Sequence, residues 1–226
     1  VGVRAVGALV SVDGSTLWVS GYVESRLVAV DLATLQVRAR IQIGQGTWEL
    51  LELPERSELW VSDLAGTKIA VVDTATDTLR GSVDIRSSPA GLAANTDGSV
   101  VWAAVSGSDF VVAIDTATRT ITGHAMVAED DLVDENGFQL PHSNPNALAY
   151  DPTGNRLFVT RGTDNAVTVL DADSLEALGS FPTSWWPTDI EPGAAPGTLL
   201  VSEGFGGGSD PEPAANGERN YVNNGT

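Results

Sequence analysis

The sequence of 226 residues contains no cysteine, only one methionine and only two histidines. Without cysteine the chain has no disulfide bond, no thiolate nucleophile and no cysteine-ligated zinc or iron–sulfur site. No segment approaches the ~20 consecutive apolar residues that a transmembrane helix needs. The first residues also lack the basic and then apolar pattern of a signal peptide, so we expect any leader to have been removed or to lie upstream.

Basic residues are scarce as well. The chain has 12 lysines and arginines against 30 acidic residues, which gives a formal net charge of −18. Such a charge repels phosphate backbones and anionic lipids, so binding to nucleic acid and insertion into a membrane are both disfavoured. The apolar fraction of 42% is enough for a folded core and argues against a disordered chain. An acidic surface suits cation binding, although it also simply keeps a protein soluble.

The most informative feature that is present is a repeat. Arg156 to Asp171 reads RLFVTRGTDNAVTVLD, which is two apolar runs joined by a polar turn and is typical of two antiparallel strands. The same pattern occurs at 16–31, 58–73 and 100–115, and a fifth copy begins at Thr198. Successive copies end at aspartates that lie 42, 42 and 56 residues apart, namely Asp31, Asp73, Asp115 and Asp171. A fixed period of this size indicates one supersecondary unit used repeatedly.

Each unit is predicted to contain four strands. A first strand precedes each hairpin, as in AGLAAN at 90–95, and the two are joined by turn residues such as Asp97-Gly98. The third strands are apolar on both faces, which requires packed layers above and below them. Their equivalent residues Val30, Val72, Ile114 and Leu170 are therefore expected to be buried. The fourth strand, LQVRARIQI at 35–43, alternates apolar and polar residues and therefore has one wet face.

These features predict an all-β fold, a β-propeller of four-stranded antiparallel blades with a 42-residue repeat. An antiparallel sandwich is the alternative, but it does not explain the strict period. Residues 1–203 are predicted to form the blades, and 204–226, rich in Gly, Pro and Asn, a loop or the start of an interrupted fifth blade. The second strands are expected near 16–21, 58–63, 100–105, 156–161 and 198–203.

Two segments carry a resemblance to a known family: RLFVT at 156–160 and DNAVTVLD at 164–171. Together with the third strands ending at Asp31, Asp73 and Asp115, they resemble the YVTN family of β-propeller repeats, over nearly all of 1–203. The resemblance implies an extracytoplasmic location (periplasmic, secreted or at the cell surface). Ser184–Thr188 and Gly204–Gly208 are similar, more weakly, to propellers attached to a phosphoesterase domain.

The resemblance also implies a ring of seven blades, which would need about 294 residues at this period. We therefore expect this chain of about four to five blades to be an incomplete part of such a ring, completed by further blades from the same chain or from a partner. A closed four-bladed ring is the alternative.

The starts of the first strands are predicted to form the rim of a central pocket, where propellers bind ligands. The rim residues expected to bind a ligand are Trp48, Asn146, Trp185, Trp186 and Thr188. Tryptophan offers a flat apolar surface and one N–H donor, although these rings could instead pack between blades. Weak candidates for catalysis near the rim are Glu49, His142 and Asp189; a single loop histidine is more often neither a base nor a ligand.

The third unit spans 56 residues rather than 42, and the additional residues fall near 128–141 in an acidic loop. Carboxylates of such a loop can bind Ca²⁺, and the candidates are Asp130, Asp131, Asp134 and Glu135. Their spacing matches no defined calcium loop, so a solvated acidic loop is the alternative. No other cofactor is predicted.

The clear repeats and the lack of a catalytic motif favour a non-catalytic scaffold that binds a protein or a small ligand. The alternative is an enzyme or an enzyme-associated propeller. It would have a lactonase-like or lyase-like site at the channel mouth, or serve as the docking domain of a phosphoesterase or cytochrome protein.

Overall fold

A computed structural model of the protein describes residues 4–128, 143–195 and 197–204, and the backbone of the short strand pair Glu212–Pro213 and Arg219–Asn220. The described residues form antiparallel β-strands, with a single 3-10 turn at Pro54–Arg56. The predicted all-β propeller is confirmed. No helix within these residues is long and apolar enough to span a bilayer.

The strands form four four-stranded sheets, or blades, followed by a two-stranded fifth. The first blade contains β1 (Ala5–Val10), β2 (Thr16–Gly21), β3 (Arg26–Asp31) and β4 (Gln36–Gln42). The second contains β5 (Thr47–Leu53), β6 (Glu58–Asp63), β7 (Lys68–Asp73) and β8 (Thr78–Asp84). The third contains β9 (Pro89–Ala94), β10 (Val100–Val105), β11 (Phe110–Asp115) and β12 (Thr120–Met126).

The fourth blade contains β13 (Pro145–Asp151), β14 (Arg156–Arg161), β15 (Ala166–Asp171) and β16 (Ala177–Pro182). The fifth contains only β17 (Pro187–Pro192) and β18 (Leu199–Glu203), and the pair Glu212–Pro213 and Arg219–Asn220 forms β19 and β20. Within each complete blade the strands pair in sequence order, so every connection is a short hairpin turn.

The turn from the third to the fourth strand depends on the repeated aspartate. Asp31 Oδ1 accepts hydrogen bonds from the N–H and the hydroxyl of Thr34, at 2.7 and 2.8 Å. The residue that follows the turn adopts a left-handed conformation, with φ of 57° at Leu35. Asp73, Asp115 and Asp171 accept equivalent bonds. A short acceptor side chain that bonds amides two or three residues further on explains why aspartate recurs at this position.

The core lies between neighbouring blades. The second strand of each complete blade buries one large aromatic side chain there, at the same position of the repeat: Trp18, Trp60, Trp102 and Phe158. Trp18 packs with Leu50 and Leu59 of the second blade, so the first blade is sealed by the next one. Because an aromatic ring buries 150–250 Å² or so, this row dominates the contact between blades.

Burial of the equivalent third-strand residues depends on whether a neighbouring blade packs against them. Val72, Ile114 and Leu170 are fully buried, as predicted from their equivalent positions. Val30, at the same position of the first blade, is only half-buried, so its predicted burial is wrong. No blade among the described residues precedes the first blade, and Val6 and Val10 of β1 are accordingly 45% and 52% exposed.

Candidate functional site

The five first strands, β1, β5, β9, β13 and β17, lie side by side along the inner wall of the propeller. Each pairs with its second strand through a register shift near its start, for example between Thr47 and Leu50. Such bulges redirect side chains. The repeated bulge therefore places one residue of every blade, at the same position of the repeat, on the inner wall.

That register position holds Gly7, Glu49, Gly91, Ala147 and Asp189, so three blades have a small residue there and two have a carboxylate. Gly91 is required by close packing, because a Cβ added to it would lie 2.6 Å from the Cα of Ala147. A Cβ on Gly7 would lie 3.0 Å from the carbonyl oxygen of Trp48. The inner strands of neighbouring blades thus approach each other closely, and only the acidic positions carry long or polar side chains.

A cavity of about 450 Å³ opens between these strands. Its wall is formed partly by apolar side chains from successive blades, such as Leu50, Leu92 and Leu148. The carboxylates of Glu49, Asp189 and Glu191 also contribute to the wall. A concave surface that combines apolar side chains with convergent polar groups is a usual form of ligand site.

Among these carboxylates, which include the exposed Asp189 and Glu191, Glu49 is the one that is half-buried. Burial raises the pKa of its carboxyl group, the N–H of Leu50 at 3.2 Å partly opposes this, and the charges of Asp189 and Glu191 raise it further. The backbone N–H of Glu49 donates to Ser62 Oγ at 3.0 Å, which holds the residue at the inner wall. In this environment the ionised form of a carboxyl group is stabilised when a cation binds beside it.

Glu191 lies on the same strand as Asp189. Glu191 is exposed, and partial loss of solvent at the cavity wall raises the pKa of its carboxyl group; the charge of Asp189 adds to this increase. Among the described residues, no lysine or arginine forms an ion pair with Glu49, Asp189 or Glu191. The cavity therefore concentrates negative charge, which suits a ligand that carries an ammonium or guanidinium group.

The carboxylates do not form a ready metal site in the described residues. No group of three His, Asp or Glu side chains within 4–128, 143–195 and 197–204 could hold a metal ion. The candidates for a calcium loop, Asp130, Asp131, Asp134 and Glu135, lie outside the described residues, as does His142. Their proposed roles stay predictions.

The three tryptophans of the predicted rim lie outside the cavity wall. Trp48 is 37% exposed and contacts Tyr22 edge to face, with ring centroids 6.0 Å apart. Trp186 is half-buried, adopts a positive φ of 60° and donates its backbone N–H to Asn165 Oδ1 at 2.8 Å. Trp185 is also half-buried. Ligand binding by these rings stays a prediction.

The remaining rim residues are engaged within and between blades. Asn146 Nδ2 donates to the carbonyl oxygen of Pro187 at 2.9 Å, which ties the fourth blade to the fifth. The hydroxyl of Thr188 lies 3.0 Å from Ser202 Oγ on the paired strand. Both side chains hold the inner strands in place. That they also contact a ligand stays a prediction.

Sequence reasoning did not single out Glu191. A signal was present, because the equivalent residues of the other blades are apolar: Leu9, Leu51, Ala93 and Ala149. All four pack in the contacts between blades. A charged residue at a core position of the repeat is the feature that would have identified it.

No protein-family model and no curated protein matches this sequence. Solved structures do share its fold. A chain of the mitotic checkpoint complex superimposes with a TM-score of 0.72 at 17% identity, over 88% of this chain and 57% of the other. Virginiamycin B lyase from Staphylococcus aureus gives a TM-score of 0.69 at 18% identity, over 88% and 63%.

Hydrazine synthase of Kuenenia stuttgartiensis gives a TM-score of 0.56 at 17% identity, over 87% of this chain and 79% of the other. At these identities the likeness establishes the propeller fold alone. The chain covers less than two thirds of the length of the checkpoint-complex and lyase chains.

Proposed function

We propose that this chain is a non-catalytic β-propeller scaffold that binds a positively charged group of a protein partner or small ligand in the inner cavity. The observation that carries the proposal is the position of Glu49. Its carboxyl group lies in a cavity whose wall combines apolar and acidic side chains, close enough to Asp189 for the two charges to interact, and with its pKa raised by burial. A bound ammonium or guanidinium group would relieve this repulsion.

Binding can be tested with an array of short peptides that differ in the number and spacing of lysine and arginine, together with free arginine amide. We expect saturable binding that weakens with rising salt, because the attraction is electrostatic. Glu49→Gln combined with Asp189→Asn should weaken binding about tenfold. Glu55→Gln is the matched control, since Glu55 is exposed on a turn. Equal binding by all three proteins would reject the cavity as the site.

The second candidate function is catalysis at the same cavity. A carboxyl group with a raised pKa can act as a general acid near neutral pH, and Glu49 has this property. Lactone and phosphoester substrates should be screened with and without divalent metal. If the native protein turns over a substrate and both Glu49→Gln and His142→Ala lose this activity, the chain is an enzyme and not a non-catalytic scaffold.

An extracytoplasmic location and membership of the YVTN family belong to this proposal and rest on the repeat segments. An attached phosphoesterase or cytochrome domain is also part of this proposal. The proposal further includes a lack of nucleic-acid binding, which the net charge of −18 supports. Fractionation of cells that express the native gene tests the location, and the full-length gene tests the attached domain.

A further inference from the structure

A second cavity, separate from the inner one, lies where the first and second blades meet. Its volume is about 360 Å³, which is within the range of roughly 300–1,000 Å³ for small-molecule sites. Ile43 after β4 and Ala70 of β7 form its apolar floor, and both pack in the core between these two blades. Leu79 of β8, which is 49% exposed, adds to the wall. No residue is shared with the inner cavity.

A buried carboxylate contributes to the wall of this second cavity. Asp63, the last residue of β6, is 5% exposed. Its Oδ1 accepts hydrogen bonds from the backbone N–H groups of Gln45 and Gly46, at 2.8 and 2.6 Å. Its Oδ2 accepts none within the part of the chain that the structure describes. A buried carboxylate oxygen without a donor is costly, so this oxygen favours a ligand that brings one.

Two glycines make room for that oxygen. A Cβ added to Gly44 or to Gly66 would overlap Asp63 Oδ2, and both glycines also line the cavity. The repeat itself does not require glycine here, because the equivalent residues of the third blade are Arg86 and Ser108. The carboxylate of the second blade therefore accounts for both glycines.

The cavity is open because the second blade lacks two aromatic rings. Lys68 and Ser82 occupy the positions that Phe110 and His124 occupy in the third blade. Those two rings contact each other edge to face, with centroids 5.6 Å apart, and Phe110 packs against the core between the second and third blades. The third blade thus has two rings in contact at the place where the second blade has a short hydroxyl and a flexible amine.

Lys68 gives the cavity a positive charge opposite the carboxylate. It is the first residue of β7, it is exposed, and the β6–β7 turn separates it from Asp63. Lys68 forms no ion pair with any residue of the described ranges. Asp84 lies opposite Lys68 on β8 but does not line the cavity. An acceptor, a cation and an apolar floor in one cavity match a small zwitterion with an apolar group.

We propose that this second cavity binds a free α-amino acid with an aliphatic side chain. The α-ammonium group donates to Asp63 Oδ2, and the α-carboxylate accepts from Lys68 Nζ. The aliphatic side chain packs on Ile43, Ala70 and Leu79. This inference goes beyond the proposed function, because it concerns a different cavity, a different pair of blades and a ligand without net charge.

The ligand is tested by equilibrium dialysis of radiolabelled L-leucine against the 226-residue protein. We expect saturable binding of one leucine per chain. N-acetyl-L-leucine lacks the ammonium group and L-leucinamide lacks the carboxylate. Each should displace the bound leucine at least about tenfold less effectively than unlabelled leucine, because each loses one charge-assisted hydrogen bond.

Two charge variants locate the site. Asp63→Asn keeps Oδ1 for the two backbone amides but presents an NH₂ group to the ligand, so it should weaken leucine binding at least about tenfold. Lys68→Met keeps the length of the side chain without its charge and should also weaken binding about tenfold. Glu55→Gln is the matched control, since Glu55 is exposed on a turn, and it should bind leucine normally. Thermal melting checks that each variant folds.

A third variant closes the cavity without changing Asp63. Lys68→Phe with Ser82→His copies the pair Phe110 and His124 of the third blade, so it should fold and lose detectable leucine binding. The same variant should still bind the basic peptides of the proposed function, because neither changed residue lines the inner cavity. The two proposals can therefore fail independently.

Any one of four outcomes overturns the proposal: no saturable binding of leucine, equal displacement by either analogue, equal binding by either charge variant, or undiminished binding by the variant with the closed cavity. Tighter binding by Lys68→Met would also overturn it, because the lysine would then compete with the ligand for Asp63 instead of holding the carboxylate.

Discussion

Arg119 of the third blade donates a hydrogen bond from Nη2 to Oε1 of Glu58 in the second blade, at 3.0 Å. Glu58 is only 2% exposed, and Arg80 of its own blade donates to the same oxygen at 3.1 Å. The other oxygen accepts from Trp60 Nε1 at 3.1 Å. One buried carboxylate thus joins two blades and satisfies the indole of a core tryptophan.

Replacing this carboxylate should destabilise the protein. Glu58→Gln leaves Arg80 and Arg119 without their shared negative charge, and we expect a loss of about 2–3 kcal/mol in the free energy of unfolding. This is below the ~3–5 kcal/mol of a fully buried pair, because the arginines are partly solvated. Urea denaturation measures the change, with Glu55→Gln as the control. A loss equal to that of the control would show that the contact between blades does not depend on Glu58.

The same carboxylate predicts sensitivity to acid. Burial alone would raise the pKa of Glu58, but hydrogen bonds from Trp60, Arg119 and Arg80 outweigh it and the pKa is lowered. A lowered pKa in the folded state stabilises the protein above the unfolded value, near 4.5, and this stabilisation is lost as the pH falls below it. The difference in melting temperature between Glu58→Gln and the native protein should therefore shrink between about pH 5 and pH 3.

Glu49 predicts the opposite pH dependence. Its pKa is raised in the folded state, so its protonated form stabilises the fold at low pH, and this contribution is lost as the pH rises through the folded pKa. Glu49→Gln should match the native protein in acid and melt at a higher temperature at pH 7–8 or so. Melting curves over this range are the measurement. A variant that is less stable at neutral pH would contradict the repulsion described for the cavity.

Equivalent positions of the repeat should differ in their contribution to stability. Trp60 is fully buried between blades, and Trp60→Ala should cost about 3–5 kcal/mol. Leu200 is its equivalent in the fifth blade, and Leu200→Ala should cost less than about 0.5 kcal/mol because the side chain is exposed. Denaturant titration of both variants tests the comparison. A large loss for Leu200→Ala would show that another part of the protein covers this side chain in solution.

Gly91 tests the close approach of the inner strands. An added methyl group would lie 2.6 Å from Ala147 Cα and 2.7 Å from the carbonyl oxygen of Asn146, both backbone atoms that move only with the strand. Gly91→Ala should therefore destabilise the protein by about 1–3 kcal/mol. Gly204→Ala is the control, because its nearest contacts are at an ordinary 3.4–3.5 Å. If both variants had equal stability, the inner strands would be free to separate.

Much of the fold follows from the sequence by itself. The 42-residue spacing, the apolar third strands and the repeated aspartate turns depend on residues that are close in the chain. Their hydrogen bonds, such as those from Thr34 to Asp31, are local and recur in every complete blade. Local patterns of this kind determine strands and turns, and their regular repetition determines the propeller.

The tertiary structure decides the rest. Glu58 and Arg119 are 61 residues apart in the chain. The pKa of Glu49 is raised chiefly by burial, and the charges of Asp189 and Glu191, on a strand three blades away, raise it further. The sequence places Glu49 near the start of a first strand, but it does not show that the carboxyl group is partly buried beside two other carboxylates. Burial and the charges of distant neighbours set its properties, because electrostatic interactions depend on distance and solvent exposure in the folded protein and not on separation along the chain.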